Sequence, residues 1–281
     1  MDFLSPLRYP GGKAKLAPYI QKIINSNNLY DGVYVEPYAG GASVALSLLF
    51  GEFVDRVIVN DKDRSIYAFW YSVINETDNL CRLISDTNVN VEEWQHQKDI
   101  QGNKDEEDLL TLGFSTFFLN RTNRSGILKA GVIGGLNQQG NYKIDARFKK
   151  QDLIKRILQI ADYSDRIDLY NDDAVIFLKQ IKDSLPEKSL LYLDPPYYVK
   201  GKGLYLNYYK DSDHQLIADT MTAIEDVKWI VTYDNVPYIG SLYKGFRKST
   251  FELNYSASNS GKGTELMIFS NNLIIPRESI F

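Results

Sequence analysis

Short apolar segments alternate with amphipathic segments along most of the chain, and this alternation constrains the fold more than any other feature. The segments with strand character cover residues 33–37, 54–60, 167–170, 190–193, 229–233 and 265–270. Those with apolar positions at helical spacing cover residues 13–26, 44–50, 65–74, 152–160, 173–181 and 213–225. Strands that alternate with helices predict an α/β fold with a mainly parallel sheet and helices on both faces.

The alternation is interrupted between residue 76 and about residue 150. Residues 76–108 are strongly acidic and are predicted to form exposed helices, and residues 110–119 carry a helical apolar face. We therefore predict an inserted, mainly helical subdomain at 76–149, within a catalytic domain formed by residues 1–75 and 150–281. The acidic stretch itself has no functional interpretation.

Several classes of protein are disfavoured by composition. Cys81 is the single cysteine, and no Cys/His cluster has the spacing of metal ligands, so we expect neither a disulfide nor a metal site. No apolar run has the length of a membrane span, and the N-terminus lacks the features of a signal peptide. These observations predict a cytoplasmic protein without membrane contact. The net charge of −4 argues mildly against nucleic acid, but basic residues concentrate at 121–156.

A glycine pair and an aspartate follow the first two predicted strands. Gly40 and Gly41 let the backbone approach a ligand closely, although a purely structural turn would use them equally well. Asp61 lies 20 residues after Gly41, where a carboxylate can accept both hydroxyls of an adenosine ribose. Asp61 could instead cap the next helix, for which Asp63 is better placed. Together, the turn and Asp61 favour an adenosine-type cofactor.

The tetrapeptide Asp194-Pro195-Pro196-Tyr197 follows the apolar segment 190–193. Consecutive prolines remove backbone donors and fix φ, so that carbonyl groups point outward in a rigid arrangement. One carboxylate and one proline carbonyl suit an NH₂ group, which offers two donors. Tyr197 adds a flat face on which a base can stack. A strand terminator would explain the prolines but not the flanking Asp and Tyr.

Six motifs in order resemble those of the Dam-type DNA adenine N6-methyltransferases, nearly end to end. They are Arg8-Tyr9-Pro10-Gly11-Gly12-Lys13, Glu36-Pro37-Tyr38-Ala39-Gly40-Gly41, Asn60-Asp61, Phe118-Leu119-Asn120-Arg121, Asp194-Pro195-Pro196-Tyr197 and residues 256–263. The resemblance implies a Rossmann-like methyltransferase sheet, S-adenosylmethionine as cofactor, and a target-recognition insert that precedes the catalytic tetrapeptide.

The resemblance also assigns cofactor contacts. It implies that Tyr9 and Lys13 flank the methionine end of S-adenosylmethionine, and that Asp61 holds the ribose. The turn formed by Tyr38, Ala39, Gly40 and Gly41 would approach the carboxylate and sulfonium. Asp173 would contact the cofactor adenine, with Asp172 as an open alternative. Asp194 would orient the target amino group close to the methyl donor.

The implied reaction is methylation of adenine N6 after the base is flipped out of the duplex. Asp194 and the carbonyl of Pro195 would hold the amino group, Pro196 would keep the backbone rigid, and Tyr197 would stack on the base. No His, Lys or Cys base is evident, and a permanent general base is not required, because the nitrogen becomes acidic once it has accepted the methyl group and then loses a proton.

Residues 120–147 are the candidate target reader. Arg124 and Lys129 are expected to reach guanine, whereas Arg121 and Lys143 are expected to neutralise phosphates. The remaining expected DNA contacts are Asn120, Asn123, Ser125, Ser258, Asn259 and Lys262. Residues 124–129 differ from the corresponding segment of the members that read GATC, so the target sequence stays open. Residues 199–209 are expected to close over the flipped base.

Two other functions compete with this prediction. An N4-cytosine methyltransferase would act on a similar NH₂ group but more often has Ser in place of the Asp of the tetrapeptide. A non-catalytic DNA-binding module would not need Lys13, Asp61 and Asp194 together.

The expected partner is double-stranded DNA, bound by a protein that is monomeric in solution. A cognate restriction endonuclease, as in restriction-modification, is left open.

Overall fold

The structure is a computed structural model that describes residues 4–8, 13–199, 209–255 and 261–280, except for the side chains of 253–255 and 261–262. The strands are β1 (Gly32–Glu36), β2 (Val54–Asn60), β3 (Ile167–Tyr170), β4 (Ser189–Leu193), β5 (Lys228–Asp234), β6 (Arg247–Tyr255) and β7 (Gly261–Phe269). The α-helices are α1 (Ala17–Ser26), α2 (Ser43–Phe50), α3 (Arg64–Asn75), α4 (Thr77–Asp86), α5 (Val91–Gly102), α6 (Leu109–Thr122), α7 (Lys150–Ala161), α8 (Ala174–Ile181), α9 (Asp211–Thr222) and α10 (Pro237–Leu242).

All seven strands form one sheet in the order β3-β2-β1-β4-β5-β7-β6. Strands β1 to β5 are parallel, and β7 lies antiparallel between β5 and β6. The prediction of a mainly parallel α/β sheet is confirmed. Because the strand order reverses between β1 and β4, the loops that follow these strands diverge and open a crevice at the carboxyl edge, where open α/β sheets bind ligands.

Apolar side chains cover both faces of the sheet. One cluster includes Ile20 of α1, Phe69 of α3 and Phe117 of α6, and the other includes Phe177 of α8 and Ile217 of α9. Helices therefore lie on both faces, as the alternation of strands and helices predicts.

The interrupting segment is more deeply packed than its acidic composition suggests. Helices α4 and α5 bury Leu80, Ile84 and Trp94, so only their acidic faces are exposed, and the expectation of a wholly exposed stretch is corrected. Helix α6 crosses α3 closely at Gly113, where an added Cβ would lie 2.5 Å from the carbonyl oxygen of Ala68. The boundaries 76 and 149 of the inserted subdomain stay a prediction.

Strand β6 was not predicted from the sequence. It pairs with β7 from Arg247↔Phe269 to Tyr255↔Gly261 and forms one edge of the sheet. Its polar first half lacks the continuous apolar character that marks the buried strands, because an edge strand packs against one neighbour only. Among the described ranges, no helix has the length and apolar character needed to cross a membrane.

Candidate active site

The loops after β1, β2 and β3 are tied together by one buried side chain, Asn60. Its Nδ2 donates to the carbonyl oxygens of Pro37 and Asp172, at 3.0 Å each, and its Oδ1 accepts from the backbone N–H of Asp172 at 2.9 Å. Asn60 is fully buried. These three bonds hold the glycine turn, Asp61 and Asp172 at one place on the carboxyl edge.

The glycine turn has a left-handed backbone, with φ of 46° at Gly40 and at Ala42. The N–H of Gly40 donates to Asp61 Oδ2 at 2.9 Å, and the N–H of Asp63 donates to Asp61 Oδ1 at 2.9 Å. Helix α3 is capped by Asp63, whose Oδ1 accepts from Ser65 at 3.0 Å. Asp61 therefore belongs to the turn rather than to the helix cap, and each of its oxygens retains a lone pair for a ligand.

Asp172 and Asp173 differ in what their carboxylates contact. Asp173 caps α8 by accepting from the N–H of Val175 at 3.0 Å, and it forms an ion pair with Lys62 at 3.0 Å. Asp172 is held by its backbone, and its carboxylate makes no hydrogen bond or ion pair with any residue that the structure describes. Of the two, Asp172 has the carboxylate that is available to a ligand.

The Lys13 ammonium group lies at the centre of a buried polar network. Nζ donates to Asp194 Oδ1 and Oδ2 at 2.9 and 2.8 Å and to the Tyr197 hydroxyl at 2.7 Å. It also lies 3.4 Å from Glu265 Oε2. The side chains of Lys13 and Glu265 are 3% and 0% exposed, whereas that of Asp194 is 21% exposed. Asp194 is thus the carboxylate of this network that stays partly exposed.

Strands β5 and β7 complete the network with residues that were not predicted from the sequence. Thr232 of β5 donates from Oγ1 to Asp194 Oδ1 at 2.8 Å, and Glu265 of β7 accepts from the Tyr197 hydroxyl at 2.5 Å. The available signal was a carboxylate directly before the apolar second half of β7, Glu265-Leu266-Met267-Ile268-Phe269. Its partner Lys13 is 252 positions away, a separation that sequence patterns do not bridge.

Tyr197 is more enclosed than a side chain that stacks on a base would be. The residue is 3% exposed, and Lys13 Nζ lies over its ring at 4.9 Å from the centroid. In this conformation the ring has little free face for a base, so stacking on Tyr197 stays a prediction that needs its surroundings to move. Pro195 is buried and Pro196 is half-buried.

Two asparagines of the candidate target reader have structural roles instead. Asn120 is 2% exposed, accepts from the N–H of Arg8 at 2.7 Å, and donates to the carbonyl oxygens of Arg8 and Gly126 at 2.9 Å each. Asn123 is 0% exposed, accepts from Trp94 Nε1 at 2.6 Å and donates to two backbone carbonyls. These amides are buried and bonded within the protein, so the structure gives Asn120 and Asn123 structural roles, and their contact with DNA stays a prediction.

The basic residues of this segment divide into exposed and half-buried groups. Arg124, Lys129 and Lys143 are exposed, and Ser125 has a left-handed backbone with φ of 56°. Arg121 is half-buried and donates to backbone carbonyls. Tyr9, Ser258, Asn259, the side chain of Lys262 and residues 200–208 lie outside the part of the chain that the structure describes, so their expected contacts stay predictions.

Comparison with known proteins decides the family. A family model described as D12 class N6 adenine-specific DNA methyltransferase matches residues 9–256. The chain belongs to this family. The match spans the glycine turn, the candidate target reader and Asp194, and it ends within the segment that follows β6.

Individual relatives are more distant. The Type II methyltransferase M.MjaIII of Methanocaldococcus jannaschii is 24% identical over 269 residues, which cover 85% of this chain and 88% of the relative. Among solved structures, the rRNA methyltransferase aviRa of Streptomyces viridochromogenes has a TM-score of 0.40 and 12% identity over 94% of this chain and 87% of its own. A SAM-dependent methyltransferase of Agrobacterium tumefaciens has a TM-score of 0.40 and 10% identity, over 91% of this chain and 61% of the other protein.

Family membership confirms the predicted activity. The enzyme is an adenine-specific DNA methyltransferase, with DNA as its substrate and a Rossmann-like sheet. The rival predictions of an N4-cytosine enzyme and of a non-catalytic binding module are not supported. The family also implies S-adenosylmethionine as the methyl donor.

One carboxyl group of the glycine-turn motif makes the stability of the methyltransferase depend on pH. Glu36 is 4% exposed and accepts from the Tyr34 hydroxyl at 3.0 Å. Burial raises the pKa of Glu36 to about 8, although the hydrogen bonds from Tyr34 and the N–H of Ala45 favour its charged form. The folded enzyme therefore keeps this proton over a pH range in which the unfolded chain has lost it.

The free energy of unfolding is expected to fall as pH rises from about 5 to about 8, because the unfolded state then releases the proton of Glu36 and the folded state does not. The contribution of Glu36 amounts to at most about 1.4 kcal/mol per pH unit. Urea unfolding at a series of pH values, with Glu36→Gln as comparison, measures it. Asp61, whose pKa burial raises to about 7, acts in the same direction, so the difference between the two proteins isolates Glu36. Parallel pH profiles would contradict the assignment.

Proposed function

We propose that this methyltransferase acts in the Dam-type manner, by flipping its target adenine out of duplex DNA and holding the amino group at Asp194. The observation that carries the proposal is the network around Lys13, in which the buried partners fix a carboxylate that stays partly exposed at the strand-order reversal. Flipping is needed because stacking and pairing block access to N6 within the duplex.

The hydrogen bonds within the network identify the oxygen that would meet the substrate. Asp194 Oδ1 already accepts from Lys13 and Thr232, whereas Oδ2 accepts from Lys13 alone. A carboxylate oxygen can accept two hydrogen bonds, so Oδ2 retains one position for an amino proton. The carbonyl of Pro195 offers a second acceptor. Together they would draw the amino group out of conjugation with the ring and free its lone pair.

The chain offers a fitting set of donors and acceptors for the cofactor. Asp61 is proposed to hold the ribose hydroxyls, Asp172 the adenine amino group, and the turn Tyr38–Gly41 the methionine end, with Lys13 and Tyr9 close by. When bound, S-adenosylmethionine supplies an electrophilic methyl group on a sulfonium. Asp194 or water would then take the surplus proton of the methylated nitrogen. Fixed positions and charges provide most of the expected acceleration.

The exposed basic residues are proposed to engage the duplex. Arg124 and Lys129 extend from a segment fixed by the bridge between Asn123 and Val132, and they are proposed to reach base edges, while Lys143 contacts phosphate. A monomeric state belongs to the same proposal. We also propose a cognate restriction endonuclease as a partner, which is supported by the Type II designation of the archaeal relative.

Incubation with methyl-labelled S-adenosylmethionine and unmodified duplex DNA, followed by digestion and identification of the nucleoside, tests the activity. N6-methyladenine is the expected product. Duplexes that carry 2-aminopurine at the mapped target test flipping, because its fluorescence rises when the base leaves the stack. Methylation without such a rise at the target position would argue against flipping.

Asp172→Asn is expected to weaken binding of S-adenosylmethionine about 10- to 100-fold, since a hydrogen bond to a charged acceptor contributes about 1.5–3 kcal/mol. Asp173→Asn is the matched control, because asparagine caps a helix as well as aspartate does. Calorimetric titration of both variants measures the difference. Weaker binding by the Asp173 variant, with binding by the Asp172 variant unchanged, would assign the contact to Asp173.

A further inference from the structure

Two arginines meet at the N-terminal segment formed by residues 5–8. Arg121, at the end of α6, donates from Nε to the carbonyl oxygen of Arg147 at 2.8 Å and from Nη1 to that of Pro6 at 3.2 Å. Arg121 is half-buried, whereas Arg147 is exposed and contributes only its backbone to this contact. The guanidinium of Arg121 is thus held in place by neutral carbonyl groups.

One further arginine approaches this segment, and another belongs to it. Arg156 of α7 donates from Nη1 to the carbonyl oxygen of Ser5 at 3.4 Å, and Arg8 donates from Nη1 to that of Asn123 at 3.5 Å. The backbone of Arg8 is fixed by Asn120, next to Arg121 in sequence. We call Arg8, Arg121, Arg147 and Arg156 the arginine cluster.

The arginine cluster has no internal counter-charge. None of its four guanidinium groups forms an ion pair with a carboxylate of the described residues. Burial, together with repulsion by the other three arginines, lowers the pKa of Arg121 to about 9. Partly buried charges are normally paired, because desolvation is costly without compensation. The cluster therefore has the composition of an anion site.

We propose that the arginine cluster binds a backbone phosphate of the DNA duplex beside the candidate target reader, residues 120–147. Guanidinium groups match phosphate oxygens in pairs of hydrogen bonds, and the other three of the cluster lie close enough to Arg121 to repel its charge. A DNA phosphate is favoured over a free anion because the cluster includes residues at both ends of that segment, with the Arg147 guanidinium 5.9 Å from the ring of the exposed Tyr142. This inference rests on the proposed function, which supplies the duplex.

The test uses Arg147→Gln, Arg156→Gln and the double variant, with Arg82→Gln as control. Arg82 is an exposed arginine of α4 that makes no ion pair with any described residue. Neither cluster substitution removes the backbone contact that anchors Arg121. DNA affinity is measured by fluorescence anisotropy at a series of salt concentrations, on duplexes with and without the mapped target. The slope of log K against log salt is expected to become shallower by about 0.9 for each phosphate that a variant no longer neutralises.

The cluster variants are also expected to lose affinity about equally on target and non-target duplexes, as backbone contacts require. A single uncharged methylphosphonate linkage at the contacted position should weaken the wild-type enzyme but not the double variant. Unchanged slopes would overturn the proposal. The proposal would also be overturned if the cluster variants lost the thermal stabilisation by inorganic phosphate but bound DNA as the wild-type enzyme does. The cluster would then be a site for free anions.

The two levels of the proposal fail separately. Absence of N6-methyladenine with the wild-type enzyme would count against the proposed function whatever the salt slopes. Normal methylation together with salt slopes equal to that of Arg82→Gln would count against the arginine cluster alone. A change of slope on duplex RNA but not on DNA would also overturn the assignment.

Discussion

Replacement of Asp194 by alanine is expected to lower kcat by at least about 10²–10³-fold, the loss observed when one preorganised polar partner of a reacting group is removed. Oδ2 of Asp194 is the acceptor proposed to hold the adenine amino group, and no neighbouring carboxylate can replace it, because Glu265 is fully buried. Binding of S-adenosylmethionine should change much less, since Asp61 and Asp172 remain. Single-turnover methylation and calorimetry measure the two effects.

Asp194→Asn is the informative companion. It keeps an oxygen acceptor but loses the charge that faces Lys13, so we expect turnover between that of alanine and that of the wild-type enzyme. If alanine at this position left kcat within a few-fold of normal, Asp194 would have no catalytic role. If the alanine variant instead lost cofactor binding and kept its single-turnover rate, the residue would belong to the cofactor site.

Replacement of Lys13 by methionine is expected to destabilise the protein by about 3–5 kcal/mol, because it removes the ammonium group that forms an ion pair with the buried carboxylate of Glu265. Glu265 is 0% exposed and Lys13 is 3% exposed, so water cannot replace the lost ammonium group easily. Activity should fall as well, since Lys13 holds both oxygens of Asp194. Urea unfolding and methylation assays at a temperature where the variant is folded separate the two effects.

The double variant Lys13→Met/Glu265→Gln separates charge from packing. Removal of the second buried charge should restore part of the lost stability without restoring turnover, and the coupling between the two sites is read from a double-mutant cycle. Glu265→Asp is the conservative control, because it keeps the charge but shortens the reach to Tyr197. Additive effects in the cycle would mean that Lys13 and Glu265 do not interact.

The fold could be predicted largely from the sequence because the buried parallel strands are continuously apolar. The predicted segment 190–193 lies within β4, whose five residues are all buried, and its four residues are apolar. The glycine turn and Asp61 lie together for a related reason, since the ends of parallel strands meet at one edge of the sheet. Strand β6 was missed because its first four residues, Arg247 to Thr250, are polar and break this pattern.

The roles of some site residues could not be predicted from the sequence, because the same residue type can serve two purposes. An asparagine amide can pair with a base or with buried backbone groups, and only the structure shows that Asn120 and Asn123 do the latter. Likewise, the sequence could not separate Asp172 from Asp173, because the choice depends on which carboxylate caps α8. Glu265 and Thr232 reach Asp194 and its neighbours through the order of β4, β5 and β7, and strand order is not encoded in local composition.

The clamp between Asn120 and the backbone of Arg8 limits how the proposed target reader, residues 120–147, can be exchanged between relatives. Since both hydrogen bonds join Asn120 to main-chain atoms of residue 8, the side chain at position 8 can vary without breaking them. The residue at 126 cannot, because a Cβ there would lie 2.4 Å from the carbonyl oxygen of Arg8 and φ is +76°. A chimaeric enzyme should therefore keep Asn120 and Gly126 as fixed points and graft only the chain beyond them, up to the arginine at 147.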